Sequence, residues 1–139
     1  MRTVGDLSFF VPGKAAAQGS KRHVGRGVMV EMSKDLPAWR TAVADAARTA
    51  HQGRPPIDGP VAVALTVYVQ RPKATRFKTY PAGPKDLDKQ QRAVGDALTA
   101  SGVIRDDARI VHWDAWKRWA TEDTPPGAHI TITELGDPA

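Results

Sequence analysis

Apolar and polar positions alternate in some stretches of this chain and recur every three or four residues in others, and the two periods lay out its elements. Leu7-Ser-Phe-Phe-Val11 is a short aromatic and β-branched run closed by Pro12-Gly13, which predicts a first strand and its stop. From Lys14 to Gly27 no period survives; glycines at 19, 25 and 27 argue against a helix, so a basic loop is expected. Val28-Met-Val30 predicts a second short strand. Ser33 then stands as a helix N-cap, followed by Trp39, Val43, Ala46, Ala47 and Ala50 at helical spacing, which predicts a helix over 34–52. Gly53-Arg-Pro-Pro56 ends it. Val61, Val63, Leu65, Val67 and Val69 take every second position of the next run, giving a strand over 60–69 with one clean apolar face.

After a polar stretch from Gln70 to Lys85, punctuated by Pro and Gly, residues Leu87, Val94, Ala97 and Leu98 share one helical stripe over 86–99, with Ser101-Gly102 as the stop. The last third alternates twice, over 109–119 and 128–134, around the turn Asp123-Thr-Pro-Pro-Gly127; together these predict a β-hairpin. The order β(β)αβαββ predicts an α+β fold, an α/β sandwich of two main helices on a small mixed sheet, in one domain over 1–139.

Composition narrows the function. The chain of 139 residues has no cysteine, which excludes disulfides, thiolate nucleophiles, Fe–S clusters and Cys-type zinc sites. The N-terminus lacks the apolar core of a secretory signal, and no run is long enough to span a bilayer, so a soluble cytoplasmic protein with no membrane partner is expected. Twenty Lys and Arg against fifteen Asp and Glu give a net charge of +5, which favours a polyanionic partner.

The common nucleotide and metal motifs are missing. Residues 13–21 lack the Gly-Lys-Ser/Thr ending of a phosphate loop, and His23, His51, His112 and His129 are scattered without metal-ligand spacing, so packing or surface roles are expected for them. The acids say more. In Lys85-Asp86-Leu87-Asp88-Lys89, Asp86 as N-cap and Asp88 at the second helical position can point the same way, whereas on a regular helix residues two apart diverge. Arg105-Asp106-Asp107 adds two more carboxylates just before a strand, so three or four acids converge if that strand packs on the helix. Such a cluster can hold Mg²⁺, which takes oxygen ligands. Capping and helix-dipole compensation explain either acid alone. Against that reading, Arg71, Lys73, Arg76, Lys78, Lys85, Lys89 and Arg92 surround Asp86 and Asp88 with positive charge, the combination phosphodiester chemistry needs. Asp96, Asp114, Trp113, Trp116 and Trp119 are assigned structural or packing roles.

This arrangement resembles the RusA family of Holliday-junction resolvases. That family's central pattern is an Asp-x-Asp-Lys/Asn opening a helix that ends in Asp-Ala-Leu, then a Gly turn and Asp-Asp before a strand. Here it reads Asp86-Leu-Asp-Lys89, Asp96-Ala-Leu98, Gly102 and Asp106-Asp107-Ala-Arg-Ile110. The resemblance implies a homodimeric endodeoxyribonuclease, of a kind often carried by phages and prophages, that uses Mg²⁺ or Mn²⁺ to cut four-way DNA junctions by paired symmetric nicks. It implies Asp86, Asp88 and Asp107 as catalytic, metal-binding acids with Asp106 beside them. A lysine important in some members falls here on Arg92, which cannot act as a base; Arg92 is expected to stabilise negative charge, and Lys89 would have to supply any proton transfer. The expected DNA contacts are Lys14, Lys21, Arg22 and Arg26 in one basic loop and Arg71, Lys73, Arg76, Lys78 and Lys85 in the other. A looser branched-DNA or flap nuclease, and a non-catalytic DNA-binding module whose acids only cap the helix, are the alternatives.

Overall fold

The computed structural model describes residues 3–16, 21–23, 29–31 and 35–136. In chain order these form β1 (Thr3–Pro12), β2 (Lys21–His23), β3 (Met29–Glu31), α1 (Leu36–His51), β4 (Val61–Val69), α2 (Leu87–Ser101), a 3-10 turn (Asp107–Arg109), β5 (Ile110–Trp119) and β6 (Gly127–Leu135). The fold is α+β with a mixed four-stranded sheet and two helices, in the predicted order.

Alternation sets the layers. Val61, Val63, Leu65 and Val67 of β4, with Ala128, Ile130 and Ile132 of β6, turn one sheet face inward and are at most 1% exposed. Trp39, Val43 and Ala47 of α1 and Ala93, Val94, Ala97 and Leu98 of α2 cover that face. Each fully buried Val, Leu or Ile contributes about 1.5–3 kcal/mol of transfer free energy, so this seam dominates the stability. The opposite sheet face carries the exposed Ala64, Asp114, Trp116 and His129.

The predicted hairpin of the last two strands does not form. The sheet order is β1-β6-β4-β5, with β6 antiparallel to both β1 and β4 and β5 parallel to β4 at the edge. A parallel neighbour needs a crossover, which α2 supplies. β6, buried along one face and hydrogen-bonded on both sides, then takes the central position beside β4 that a terminal hairpin would have left to β5.

Smaller corrections follow the same logic. Lys21–His23, placed in a loop by sequence, pairs antiparallel with Met29–Glu31. The N-cap position of α1 is Asp35, with Pro37 in the first turn; Ser33, expected there, lies outside the described residues. Trp113 and Trp119 face the helix side as packing residues, but Trp116 points to the open face, is 46% exposed and lies against Tyr80 and the Arg118 guanidinium. His51 is buried with Nε2 hydrogen-bonded to the Pro55 carbonyl at 2.9 Å, a packing histidine as expected, whereas His112 and His129 are exposed. Among the described residues no helix is long and apolar enough to cross a membrane.

Gly95 sits mid-helix in α2, where a Cβ would meet Asp107 Cβ, Ile110 Cδ1 and Trp113 Cζ2 at 3.8 Å each, ordinary van der Waals contacts. Gly95→Ala is therefore expected to stabilise the fold by about 0.5–1 kcal/mol through lower chain entropy in the unfolded state. Thermal unfolding should show a melting temperature higher by roughly 2–4 °C; a fall would mean that the contact between α2 and the 3-10 turn is tighter than this.

Candidate active site

The first turn of α2 brings the predicted acids to the surface. Asp86 is the N-cap, in extended backbone (φ −63°, ψ 134°), and Asp88 is the second helical residue. The placement is that of a cap, but the Asp86 side chain makes no capping hydrogen bond; its carboxylate instead lies 3.6 Å from Lys89 Nζ. The backbone entering this turn is held from β5: Lys117 Nζ donates to the carbonyls of Lys85 at 3.1 Å and Gly83 at 3.4 Å. Lys85, which this clamp grips, adopts a left-handed φ of 84° that a non-glycine residue rarely takes.

A second clamp places Asp107. Ile57 and Ile104 form a parallel bridge, closed by hydrogen bonds from Ile57 N to the Val103 carbonyl and from Arg105 N to the Ile57 carbonyl, both 2.9 Å. Arg109 reaches back to Asp58 Oδ1, donating from Nε at 3.0 Å and from Nη2 at 2.8 Å. Between these anchors Asp106 caps the 3-10 turn, accepting from Ala108 N at 3.0 Å, and Asp107 is left facing α2.

Asp88 and Asp107 thereby open onto one surface cavity of about 250 Å³, lined also by Gln91, Arg92, Gly95, Ile110 and Trp113. Arg92 makes no salt bridge to a described residue, and it lines the cavity beside the two carboxylates. The convergence of three or four acids is not seen: among the described residues no three metal-ligating side chains come together. Asp86 is turned to Lys89 and Asp106 to its own turn, because successive acids on a helix start or a tight turn diverge unless both side chains leave the backbone on one face. Two carboxylates still suit Mg²⁺, which is commonly held by one or two carboxylates, waters and substrate phosphates rather than by an all-protein cage.

The electrostatics separate the two adjacent acids. Asp106 is held below the ordinary carboxylate value by the Ala108 N–H first, then by a hydrogen bond from Asp107. Asp107 is pushed above it, chiefly because its proton is shared with Asp106, then by desolvation and by the charges of Asp106 and Asp96. In the metal-free protein Asp107 therefore keeps its proton to higher pH than a free aspartate, and pH rising through its raised pKa adds one negative charge to the cavity. Asp106→Asn is expected to lower the Asp107 pKa; carboxyl ¹³C NMR titration without metal measures it, and an unmoved Asp107 would remove Asp106 as the cause.

The structure scatters the other expected residues. Arg71, Lys73, Arg76 and Lys78 are exposed along the 70–85 segment, with Arg76 stacked 4.7 Å above the Phe77 ring. Lys14 is paired with Asp35 at 3.1 Å. Lys85 is half-buried, and its pKa is lowered by desolvation, with Lys14 adding to the effect and Asp35 opposing it. Lys21 and Arg22 lie in β2, and Arg26 falls outside the described residues. Sequence reasoning missed Asp58 and Lys117, which orient the two acids, and gave Asp96 a structural role although its charge acts on Asp107. Asp96 was legible as a helix position and as part of the family pattern but not as a neighbour of Asp107, and nothing along the chain links Asp58 to Arg109 or Lys117 to Lys85.

Two carboxylates and an arginine lining one cavity at the start of α2 are groups that can hold a cation and a phosphate side by side. The chain belongs to the RusA family: the model of that family, Endodeoxyribonuclease RusA, matches residues 12–133. It is therefore a member of an endodeoxyribonuclease family whose activity is Holliday-junction resolution. No curated protein matches the chain.

Proposed function

We propose that this protein resolves four-way DNA junctions as a homodimer, each subunit hydrolysing one phosphodiester at the Asp88–Asp107 cavity with Mg²⁺ or Mn²⁺. The observation that supports it most is that Asp88 and Arg92 of α2 and Asp107 of the 3-10 turn line one cavity in a chain of this family. Asp88 and Asp107 are the residues that would hold the ion. When bound, it would supply Lewis acidity toward the phosphoryl oxygen and make a nearby water more acidic. Arg92, permanently charged, binds the scissile phosphate and stabilises the charge that grows on its oxygens. Lys89 can exchange Asp86 for a DNA phosphate, which frees the Asp86 carboxylate to serve as the third acid; Asp106 acts through its hold on Asp107. Arg71, Lys73, Arg76 and Lys78 track the backbone of an arm, with Lys14, Lys21, Arg22 and Arg26 on the other basic segment. Two cavities related by a two-fold axis match a two-fold substrate, which is why a dimer is required.

Incubation of the full chain with a mobile four-way junction and with a matched linear duplex, in Mg²⁺ and in EDTA, tests the reading. Paired symmetric nicks confined to the junction and dependent on Mg²⁺ are expected. Equal cutting of flaps would place the protein among looser branched-DNA nucleases, and tight binding with no cut in any divalent metal would leave a DNA-binding module.

A further inference from the structure

A second and larger cavity lies on the other side of the first turn of α2. It encloses about 450 Å³ and is lined by Lys14, Ala15, Tyr68, Val69, Gln70, Lys85, Gln90 and Pro126, a volume within the range of about 300–1,000 Å³ common to small-molecule sites. Gln90 is 0% exposed, and neither its Nε2 nor its Oε1 has a hydrogen-bond partner among the described residues. A buried amide is normally paired, because desolvating a donor and an acceptor without replacement is costly. Val94, one turn further along the same helix face, is fully buried and apolar, so packing alone asks for no amide at this position.

The chemistry around Gln90 indicates what would pair with it. An amide offers a donor and an acceptor side by side, the pattern that matches the hydrogen-bonding edge of a nucleobase. Val69, Ala15, Pro126 and the Tyr68 ring give apolar surface for a planar group, and two ammonium groups line the same cavity, Lys85 and Lys14, the latter ion-paired with Asp35 at 3.1 Å, a partner that a phosphate can replace. Desolvation first and Lys14 second lower the Lys85 pKa, with Asp35 opposing, so the three charges share one neighbourhood. Gln90 lies about 200° around α2 from Asp88, so the two cavities straddle one helix turn about 10–12 Å across. Two nucleotide steps of an extended single strand can span that width.

We propose that this cavity receives one nucleotide of the DNA strand, its base drawn out of the stack, with the Gln90 amide reading the base edge and Lys14 and Lys85 holding its phosphate. The inference rests on the DNA-cleaving reading above and adds to it the part of the protein that selects the base, one or two nucleotides from the cut.

The test scans 2-aminopurine through the nucleotides flanking the cut in a four-way junction bound by the full chain in EDTA. Fluorescence is expected to rise at least threefold at one position within two nucleotides of the cut. Gln90→Met and Ala15→Leu, the first removing the amide and the second filling the cavity, should both abolish the rise. Gln90→Met should melt no lower than wild type, since it removes an unpaired buried amide, and in Mg²⁺ its preference between best and worst cut sequences should fall at least fivefold. A junction that is bound and cut with no responding position overturns the base pocket and leaves the nuclease reading intact. A rise that survives both variants shows that the junction alone extrudes the base, and also overturns it. Failure to bind any branched DNA overturns both readings. Saturation by free deoxynucleoside monophosphates without effect on junction binding would assign the cavity to a soluble nucleotide and overturn the DNA source.

Discussion

Asp88→Asn is expected to bind four-way junctions within about threefold of wild type while cutting them at least about 10³-fold more slowly. The substitution keeps the shape of the side chain and removes its charge. Asp88 lies at the second position of α2, where a carboxylate compensates the helix dipole by only about 0.3–1 kcal/mol, so the fold survives its neutralisation. What is lost is one of the two anionic oxygen donors at the cavity shared with Asp107 and Arg92. A hard cation loses far more from that exchange than the helix does. Gel shifts in EDTA measure binding and single-turnover cleavage in Mg²⁺ measures chemistry. Wild-type cleavage by this variant would return Asp88 to a dipole-compensating role and move the active site elsewhere.

The second large effect concerns the fold. Gly127 opens β6 opposite both Pro12 of β1 and Tyr68 of β4, with φ +152°. A Cβ there would run into the Val11 carbonyl oxygen and lie 2.8 Å from Phe10 Cζ and 3.0 Å from Pro12 Cα. The obstacle is strand backbone, which cannot move without separating β1 from β6. Gly127→Ala is therefore expected to cost at least about 3 kcal/mol and to lower the melting temperature by roughly 10 °C. Gly102→Ala makes the control: it has φ +81° but open space around the new Cβ, so it bears backbone strain alone, about 1 kcal/mol. Equal losses in the two variants would show that conformation, not the clash, decides the cost at Gly127.

The two residues mark how far local pattern reaches. The strand of alternating valines over 61–69, the two amphipathic helices and the two C-terminal alternating segments were all legible, because burial on one face imposes a period of 2 or 3.6 on the chain wherever the partner surface lies. The pairing of those segments was not. A period says which side of a strand is buried and nothing about which strand lies beside it, so β5 and β6, adjacent in sequence and joined by a turn, read as a hairpin although β4 separates them.

The candidate site divides in the same way. The spacing of Asp86, Asp88, Asp106 and Asp107 was readable, and with it the identity of the family. Which acids face each other was decided in three dimensions, by the Lys117 hold on residues 83–85 and the Asp58–Arg109 fork beneath the 3-10 turn. Gln90 was invisible as a candidate, since a glutamine in a helix is ordinary until burial leaves its amide without a partner among the described residues. The sequence by itself determined the elements, the sign of the surface charge and the residue types available for chemistry, because these follow from local periodicity and composition. Only the tertiary structure decided strand order, the pairing of Asp88 with Asp107 and the burial of Gln90, because each depends on contacts between residues far apart along the chain.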